Sequence, residues 1–366
     1  MTMYGWLVLL LWAGSVGLAT QQPDTQTWLS YLRSRASNRV YGRYPGNYYA
    51  SNYEDDEDES AEVLDCPLEC DCPSAYPYAM YCHSRNLRHV PFVPSRMKYV
   101  YLQNNQITGI TDGVFDNATG LVWIILHMNQ LKSDKISNKV FSKLPKLERL
   151  FLYHNKLDRI PQGLPRSLRD LRINHNDISS IPADTLRGMV NLTALRLQSN
   201  AIKDTNGALE SLQSLTYLDL RGNLLTKIPD RLPPKLNQLY LEYNRISAIP
   251  ADFLRNRPEL RFVRLSHNEI TDKGIPPNAF NVTNLMELDL SYNKLEKIPT
   301  INTNLMNLYL QANHIKEFSI SSFCRVVDMA NYSNLRVLRL EANEIRAHDV
   351  PPEALLCLRM ATNINL

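Results

Sequence analysis

Eleven times the chain returns to one pattern, L-x-x-L-x-L-x-x-N-x-L, and this repetition limits what it can fold into more than any other feature. The asparagines are Asn105, Asn129, Asn155, Asn176, Asn200, Asn223, Asn244, Asn268, Asn293, Asn313 and Asn343. In the most regular window Leu215, Leu218 and Leu220 precede Asn223, and Leu225 follows it. The alternating Leu218 and Leu220 mark a short strand with one buried face. The next repeat supplies a parallel neighbour about 4.8 Å away, so a sheet grows along the stack. The asparagine turns the chain out of the strand. Its amide both donates and accepts, so a column of such amides can satisfy backbone groups that the turn would otherwise bury unpaired. These leucines and asparagines are therefore structural. Leucine fills 54 of 366 positions, and this packing is where it goes.

The spacing has a second rhythm. Successive asparagine intervals are 24, 26, 21, 24, 23, 21, 24, 25, 20 and 30 residues, so two longer repeats are followed by a short one, three times over. The short repeats carry Ile160-Pro161 with Leu164-Pro165, Ile228-Pro229 with Leu232-Pro233, and Ile298-Pro299. Proline favours an extended outer segment there, while the longer repeats have room for a helical turn with a core aromatic such as Phe115, Phe141, Phe253 or Phe280. Outer segments longer than the strand spacing bend the stack. The expected fold is an α/β-type solenoid, a curved horseshoe with a parallel β-sheet on its inner side.

A solenoid exposes sheet edges and apolar core at both ends, and both need covers. Cysteines sit where those covers belong. Cys66, Cys70, Cys72 and Cys82 cluster before the first strand, and spacing leaves all three of their pairings open. Cys324 lies in the single oversized interval and Cys357 beyond the last full repeat. A bridge between them would contribute roughly 3 to 4 kcal/mol by the chain-entropy argument. Zinc is the rival for the first cluster, but the one-residue gap between Cys70 and Cys72 is tighter than zinc pairs use, so disulfides are expected and no metal.

Disulfides require an oxidising compartment, and the start of the chain supplies the address. Residues 6–19 are uncharged and mostly apolar, with Gly17 and Ala19 placed as a cleavage site requires, which reads as a signal peptide over 1–19. The run is too short to span a bilayer, and no later stretch approaches the apolar length of a membrane helix. A secreted protein without a membrane span is expected. Its expected divisions are a disordered, tyrosine-rich acidic segment at 20–65, an N-terminal cysteine cap at 66–95, eleven repeats at 96–346 and a C-terminal cap at 347–366.

Charge separates the leading segment from the repeats. Residues 21–65 hold four arginines and nine acidic groups, while the whole chain is +3. Bulk nucleic-acid binding has no charge to drive it. Tyr53 abuts the unbroken run from Glu54 to Glu59, the setting that favours tyrosine sulfation in the secretory pathway, with Tyr48 and Tyr49 as further candidates. Sulfated, the segment would be a polyanionic arm for basic matrix proteins. Four sequons, at Asn117, Asn191, Asn281 and Asn331, each fall just before the first leucine of a window, so N-linked sugars would leave one rim and keep the inner sheet clear.

On that sheet the variable column between the two strand leucines reads Tyr101, Ile125, Phe151, Arg172, Arg196, Asp219, Tyr240, Arg264, Asp289, Tyr309 and Arg339. Aromatics and arginines on a rigid array suit protein binding. His154 and His175 occupy equivalent places on adjacent repeats, yet no carboxylate or thiol accompanies them, so they read as a surface pair. No glycine-rich phosphate loop and no nucleophile context appears. The chain reads as a non-enzyme without cofactor.

The Cys-x3-Cys-x-Cys-x9-Cys lid, the alternation of repeat lengths and the oversized interval bearing one cysteine of the final pair resemble the class II small leucine-rich proteoglycans. The resemblance runs from Trp28 to Leu366. It implies the pairs Cys66–Cys72, Cys70–Cys82 and Cys324–Cys357, sulfated tyrosines in the leading segment, and keratan sulfate on the sequons. It also implies a protein of the extracellular matrix that binds fibrillar collagen and regulates fibril assembly. In one relative collagen binding is associated with the last full repeat, whose Asn-Glu-Ile-basic motif matches Glu344 and Arg346 here. Arg346 stands where that relative has lysine, which keeps the charge and changes the geometry. A growth-factor trap in the matrix is the alternative reading.

Overall fold

A computed structural model of the chain describes residues 65–366 apart from residue 256. The signal segment and Tyr48, Tyr49 and Tyr53 lie outside the described residues. Among the described residues thirteen strands of three residues each form one parallel sheet in chain order. They are β1 (Ala79–Tyr81), β2 (Tyr99–Tyr101), β3 (Trp123–Ile125), β4 (Arg149–Phe151), β5 (Asp170–Arg172), β6 (Ala194–Arg196), β7 (Tyr217–Asp219), β8 (Gln238–Tyr240), β9 (Phe262–Arg264), β10 (Glu287–Asp289), β11 (Asn307–Tyr309), β12 (Val337–Arg339) and β13 (Asn363–Asn365).

Strands β2 to β12 coincide with the eleven repeat windows. In each, the middle residue points into the core and the outer two toward the open face, as the burial of β4 shows: Leu150 is fully buried and Arg149 and Phe151 are half-buried. Register keeps equivalent positions together, with Leu218 level with Leu195 and Leu239. Each leucine removed from water this way contributes about 2 kcal/mol. The two added strands come from the cap segments. Met80 takes the leucine place in β1 and is fully buried, while Ile364 of β13 remains 44% exposed at the far end.

The asparagines tie the turns together. Asn223 Nδ2 donates to Leu220 O of its own turn at 2.9 Å and to Leu197 O of the preceding turn at 3.1 Å, while its Oδ1 accepts from Ile202 N at 3.0 Å. Asn129, Asn155, Asn176 and the later members repeat the arrangement. The residue before each asparagine takes a left-handed conformation, from Asn104 (φ 58°) through Gly222 (φ 60°) to Ala342 (φ 58°). This reverses the chain out of the strand at the same place in every turn.

Phe115, Phe141, Phe253 and Phe280 are buried in the outer segments of the longer repeats. Those segments are runs of tight turns, not the helical turns expected. Bonds such as Ala118 N to Phe115 O (3.0 Å) and Leu121 N to Ala118 O (3.1 Å) span three residues and draw the chain inward enough to seat the ring. Among the described residues the one α-helix is α1 (Ala354–Cys357), in the C-terminal cap. In the short repeat after Asn155 the backbone comes so close to its neighbour that a Cβ on Gly163 would lie 1.9 Å from Asn138 O, and its φ is +69°. Only glycine fits there.

Disulfides Cys66–Cys72 and Cys70–Cys82 cross-link the first cap, and Cys324–Cys357 closes the last. Cys82, Cys324 and Cys357 are buried at the two ends of the core.

Candidate functional site

The open face of the sheet presents the column expected from the sequence, lengthened by Tyr81 and Asn365. At its N-terminal end it is aromatic. Tyr81 stacks on Tyr101 at 4.9 Å, Tyr99 meets Trp123 edge-on at 5.0 Å, and the Arg149 guanidinium lies 4.4 Å over Trp123.

Further along, ion pairs and rings interleave. Asp170 accepts from Arg172 (2.9 Å) and from Arg196 (2.9 Å), while Arg172 covers Phe151 at 4.1 Å and Arg196 covers Tyr217 at 4.6 Å. Arg221 forks onto the fully buried Asp219 at 3.0 and 2.8 Å. Arg264 binds Glu287 at 2.8 Å and lies 5.2 Å over Tyr240. Held between carboxylate and ring, these guanidiniums present a pre-arranged surface that loses little side-chain freedom on binding. Burial, helped by the Asp219 charge, pushes the Tyr217 phenol up to about 12, so it stays a neutral donor.

The face divides by sign. Over β4 to β6 Arg149, Arg172 and Arg196 face one carboxylate, Asp170; over β7 to β10 and their exits Asp219, Glu287 and Asp289 face Arg221 and Arg264. Glu242 is 5% exposed, and burial pushes its carboxyl up to about 8.

One feature of this surface was missed in the sequence. The residue after the second strand leucine carries a buried polar atom without a hydrogen-bond partner in six turns: Gln103 Oε1, His127 Nδ1, Gln198 Oε1, Glu242 Oε2, Gln311 Oε1 and Glu341 Oε2. They form a column along one edge of the open face. The repeat pattern leaves that position free, so only the recurrence of polar side chains there, amide or acid in five of the six, could have pointed to it.

Glu344 and Arg346 lie outside the sheet, on the segment that climbs away from β12. Both are exposed; the Glu344 amide bonds Ile315 O at 2.9 Å, and the Arg346 amide bonds Asp349 Oδ2 at 2.8 Å. Neither is brought against the column of the open face by a hydrogen bond or ion pair. His154 and His175 stack face to face at 4.1 Å. Among the described residues no group of histidine, cysteine and acid could hold a metal ion, and no helix is long and apolar enough to cross a membrane.

The four sequon asparagines precede β3, β6, β10 and β12. Asn117, Asn191 and Asn331 are exposed and Asn281 is half-buried. Asn331 Nδ2 bonds Asp328 Oδ2 at 2.8 Å, and Asn191 Nδ2 bonds Arg166 O at 3.0 Å.

Comparison with known proteins agrees with this architecture. The chain matches the family Leucine rich repeat over residues 95–163 and 166–225, and the Leucine rich repeat N-terminal domain over 65–94. It is 53% identical to human fibromodulin, covering 99% of this chain and 100% of that one, and 50% identical to chicken fibromodulin over the same shares. The chain belongs to the fibromodulin family. Lumican of chicken is 47% identical over 82% of this chain and 88% of its own length, which places the fibromodulin family within the class II small leucine-rich proteoglycans. Among solved structures, a chain of the octameric complex of Latrophilin 3, Unc5D and FLRT2 (LRR) superposes with a TM-score of 0.65 at 26% identity, over 81% of this chain and 84% of its own.

Proposed function

We propose that the protein is a secreted extracellular matrix proteoglycan that binds fibrillar collagen and regulates fibril assembly. The observation that carries this reading is the near full-length similarity to fibromodulin, which extends through the last full repeat with Glu344 and Arg346 both exposed. The physical logic is adsorption. A curved module seated on a growing fibril blocks lateral addition, and an anionic arm with sulfated Tyr48, Tyr49 or Tyr53, together with glycans on Asn117, Asn191, Asn281 and Asn331, holds neighbouring fibrils apart. The interleaved arginines and rings of the open face support binding over catalysis, because their polar groups are engaged with one another.

The test is binding of the secreted protein to immobilised fibrillar collagen. Replacing both Glu344 and Arg346 by alanine should weaken it by about tenfold or more. A double variant that binds at full strength removes these residues from the contact. The second reading, a growth-factor trap, is favoured by the sign-divided open face. Fibril turbidity and growth-factor binding measured in parallel separate the two: unchanged fibril kinetics with retained growth-factor binding puts the trap first.

A further inference from the structure

The left-handed column that leaves the sheet carries rings in three consecutive turns, after β8, β9 and β10. Tyr243 stacks on His267 at 4.1 Å with 10° between the planes, and His267 stacks on Tyr292 at 4.1 Å with 11°. The same column holds Gly222 in the turn before and Ala312 in the turn after. Neither can lay a ring on its neighbour, so the outer faces of both tyrosines lack a partner in the stack. Tyr243 is 60% exposed and Tyr292 48%.

The stack is rigid because its backbone is. The amides of Tyr243, His267 and Tyr292 bond Ser266 O, Ser291 O and Gln311 O at 3.0, 3.1 and 2.9 Å, and each residue precedes a ladder asparagine. Burial lowers the affinity of His267 for a proton, which leaves the stack uncharged at neutral pH. A preordered, uncharged ring surface gains from covering apolar area and loses little freedom in doing so. The negative face of a tyrosine ring suits the polarised C–H groups of a saturated ring.

Two positions further along each turn the side chains are charged, Arg245, Glu269 and Lys294, and Lys294 pairs with Glu269 at 3.7 Å. Glu344 occupies that same column two turns later: the amides of Glu269, Lys294 and Glu344 bond Ile246 O, Ile270 O and Ile315 O in the same way. Glu344 therefore lies in the column beside the stack, two turns beyond Lys294, with Ala312 and His314 in the turn between.

We propose that the Tyr243–His267–Tyr292 stack is a docking surface for prolyl rings of an extended, polyproline-II segment, and that in the full contact this segment belongs to collagen. This rests on the collagen reading above for its partner, and on ring geometry for its chemistry. Polyproline helices dock on aromatic surfaces because they arrive already ordered, and collagen winds three such chains. A sugar ring would need free polar groups beside the stack to hold its hydroxyls. Its neighbours in the column, Gly222 and Ala312, carry no polar side-chain group, and in the charged column Lys294 and Glu269 hold each other.

The test uses the full secreted chain and two probes, immobilised fibrillar collagen and a triple-helical peptide of Gly-Pro-Pro repeats. The variant Y243A/Y292A should bind both about tenfold more weakly, and Y243F/Y292F, which keeps the ring faces, should bind within about twofold of the parent. Saturation transfer from peptide prolyl protons to the tyrosine ring protons of the parent protein should be seen, and it tests the contact even if the alanine variant does not fold. The proposal is overturned if a folded Y243A/Y292A binds the peptide like the parent, if no transfer occurs, or if the alanine change abolishes binding of a galactose-based oligosaccharide and spares the peptide. Loss of collagen binding in E344A/R346A with peptide binding intact keeps the two sites distinct. Failure of the parent to bind collagen while it binds the peptide would sink the collagen reading and leave the prolyl surface standing.

Discussion

The Ser333 amide donates to the Cys357 carbonyl at 2.8 Å, and Ser333 is fully buried. Ser333 supplies the hydroxyl of the Asn331 sequon. The corresponding Thr119 and Thr283 are exposed. Glycan transfer needs the sequon hydroxyl in reach, so closure of the Cys324–Cys357 loop competes with modification of Asn331. Replacing both cysteines by serine should raise glycan occupancy at Asn331 and leave Asn117 unchanged. Peptide mass spectrometry of the secreted chains reads this directly, and equal occupancy at Asn331 would refute the competition. The same variant should lose up to about 3 to 4 kcal/mol of stability.

Asn223→Leu tests the ladder. The change strands Ile202 N, Leu197 O and Leu220 O in a buried turn. A loss of about 2 to 4 kcal/mol is expected, measured by denaturant unfolding with the slope unchanged. A loss below about 1 kcal/mol would mean that water reaches these groups.

Glu242 gives the folded protein a pH dependence of known sign. Burial pushes its folded carboxyl up to about 8 from an ordinary value of 4.5, so between these values the folded state holds a proton that the unfolded state has released. Stability from this group therefore falls as pH rises from about 4.5 through about 8. Glu242→Gln should flatten that slope, and its advantage over the parent should grow from pH 5 to pH 9 in thermal or denaturant melts. Parallel curves across that range would show that the carboxyl is ionised at neutral pH.

Asp170 accepts from two arginines, and its side chain is only 15% exposed. Asp170→Ala should cost about 1 to 3 kcal/mol by leaving Arg172 and Arg196 facing each other without a counter-charge. The effect should shrink at high salt because the guanidiniums remain partly in water. A salt-independent loss would assign the cost to packing instead.

Gly163→Ala tests the close approach of a short repeat to its neighbour. With Asn138 O in the way and a left-handed backbone, it should lose more than about 1 kcal/mol, whereas alanine at Gly120, whose nearest neighbour would be Met97 O at 3.8 Å, should be tolerated.

Eleven of the strands were legible because leucine period and asparagine position repeat together. Strands β1 and β13 were not, since Ala79-Met80-Tyr81 and Asn363-Ile364-Asn365 lack the flanking leucines and pair only because a neighbour presents an edge. The outer aromatics were found, but their backbone was misjudged, because tight turns and a helical turn bury the same phenylalanine. The left-handed column gave no local signal either. It accepts Met128, His154, Tyr243 and Ala312 alike, so the following asparagine and the stacked neighbours set it, not the residue itself. For that reason the ring stack, apart from the His154 and His175 pair, was visible only once the turns were superimposed.

Each strand bonds only to those just before and after it along the chain. Tension along such a chain would therefore peel it one coil at a time, each of roughly 24 residues yielding about 80 Å of slack. The sulfur crosslink between Cys324 and Cys357 stops that peeling at the far end, so under load the molecule would act as a sacrificial spring with a fixed stop.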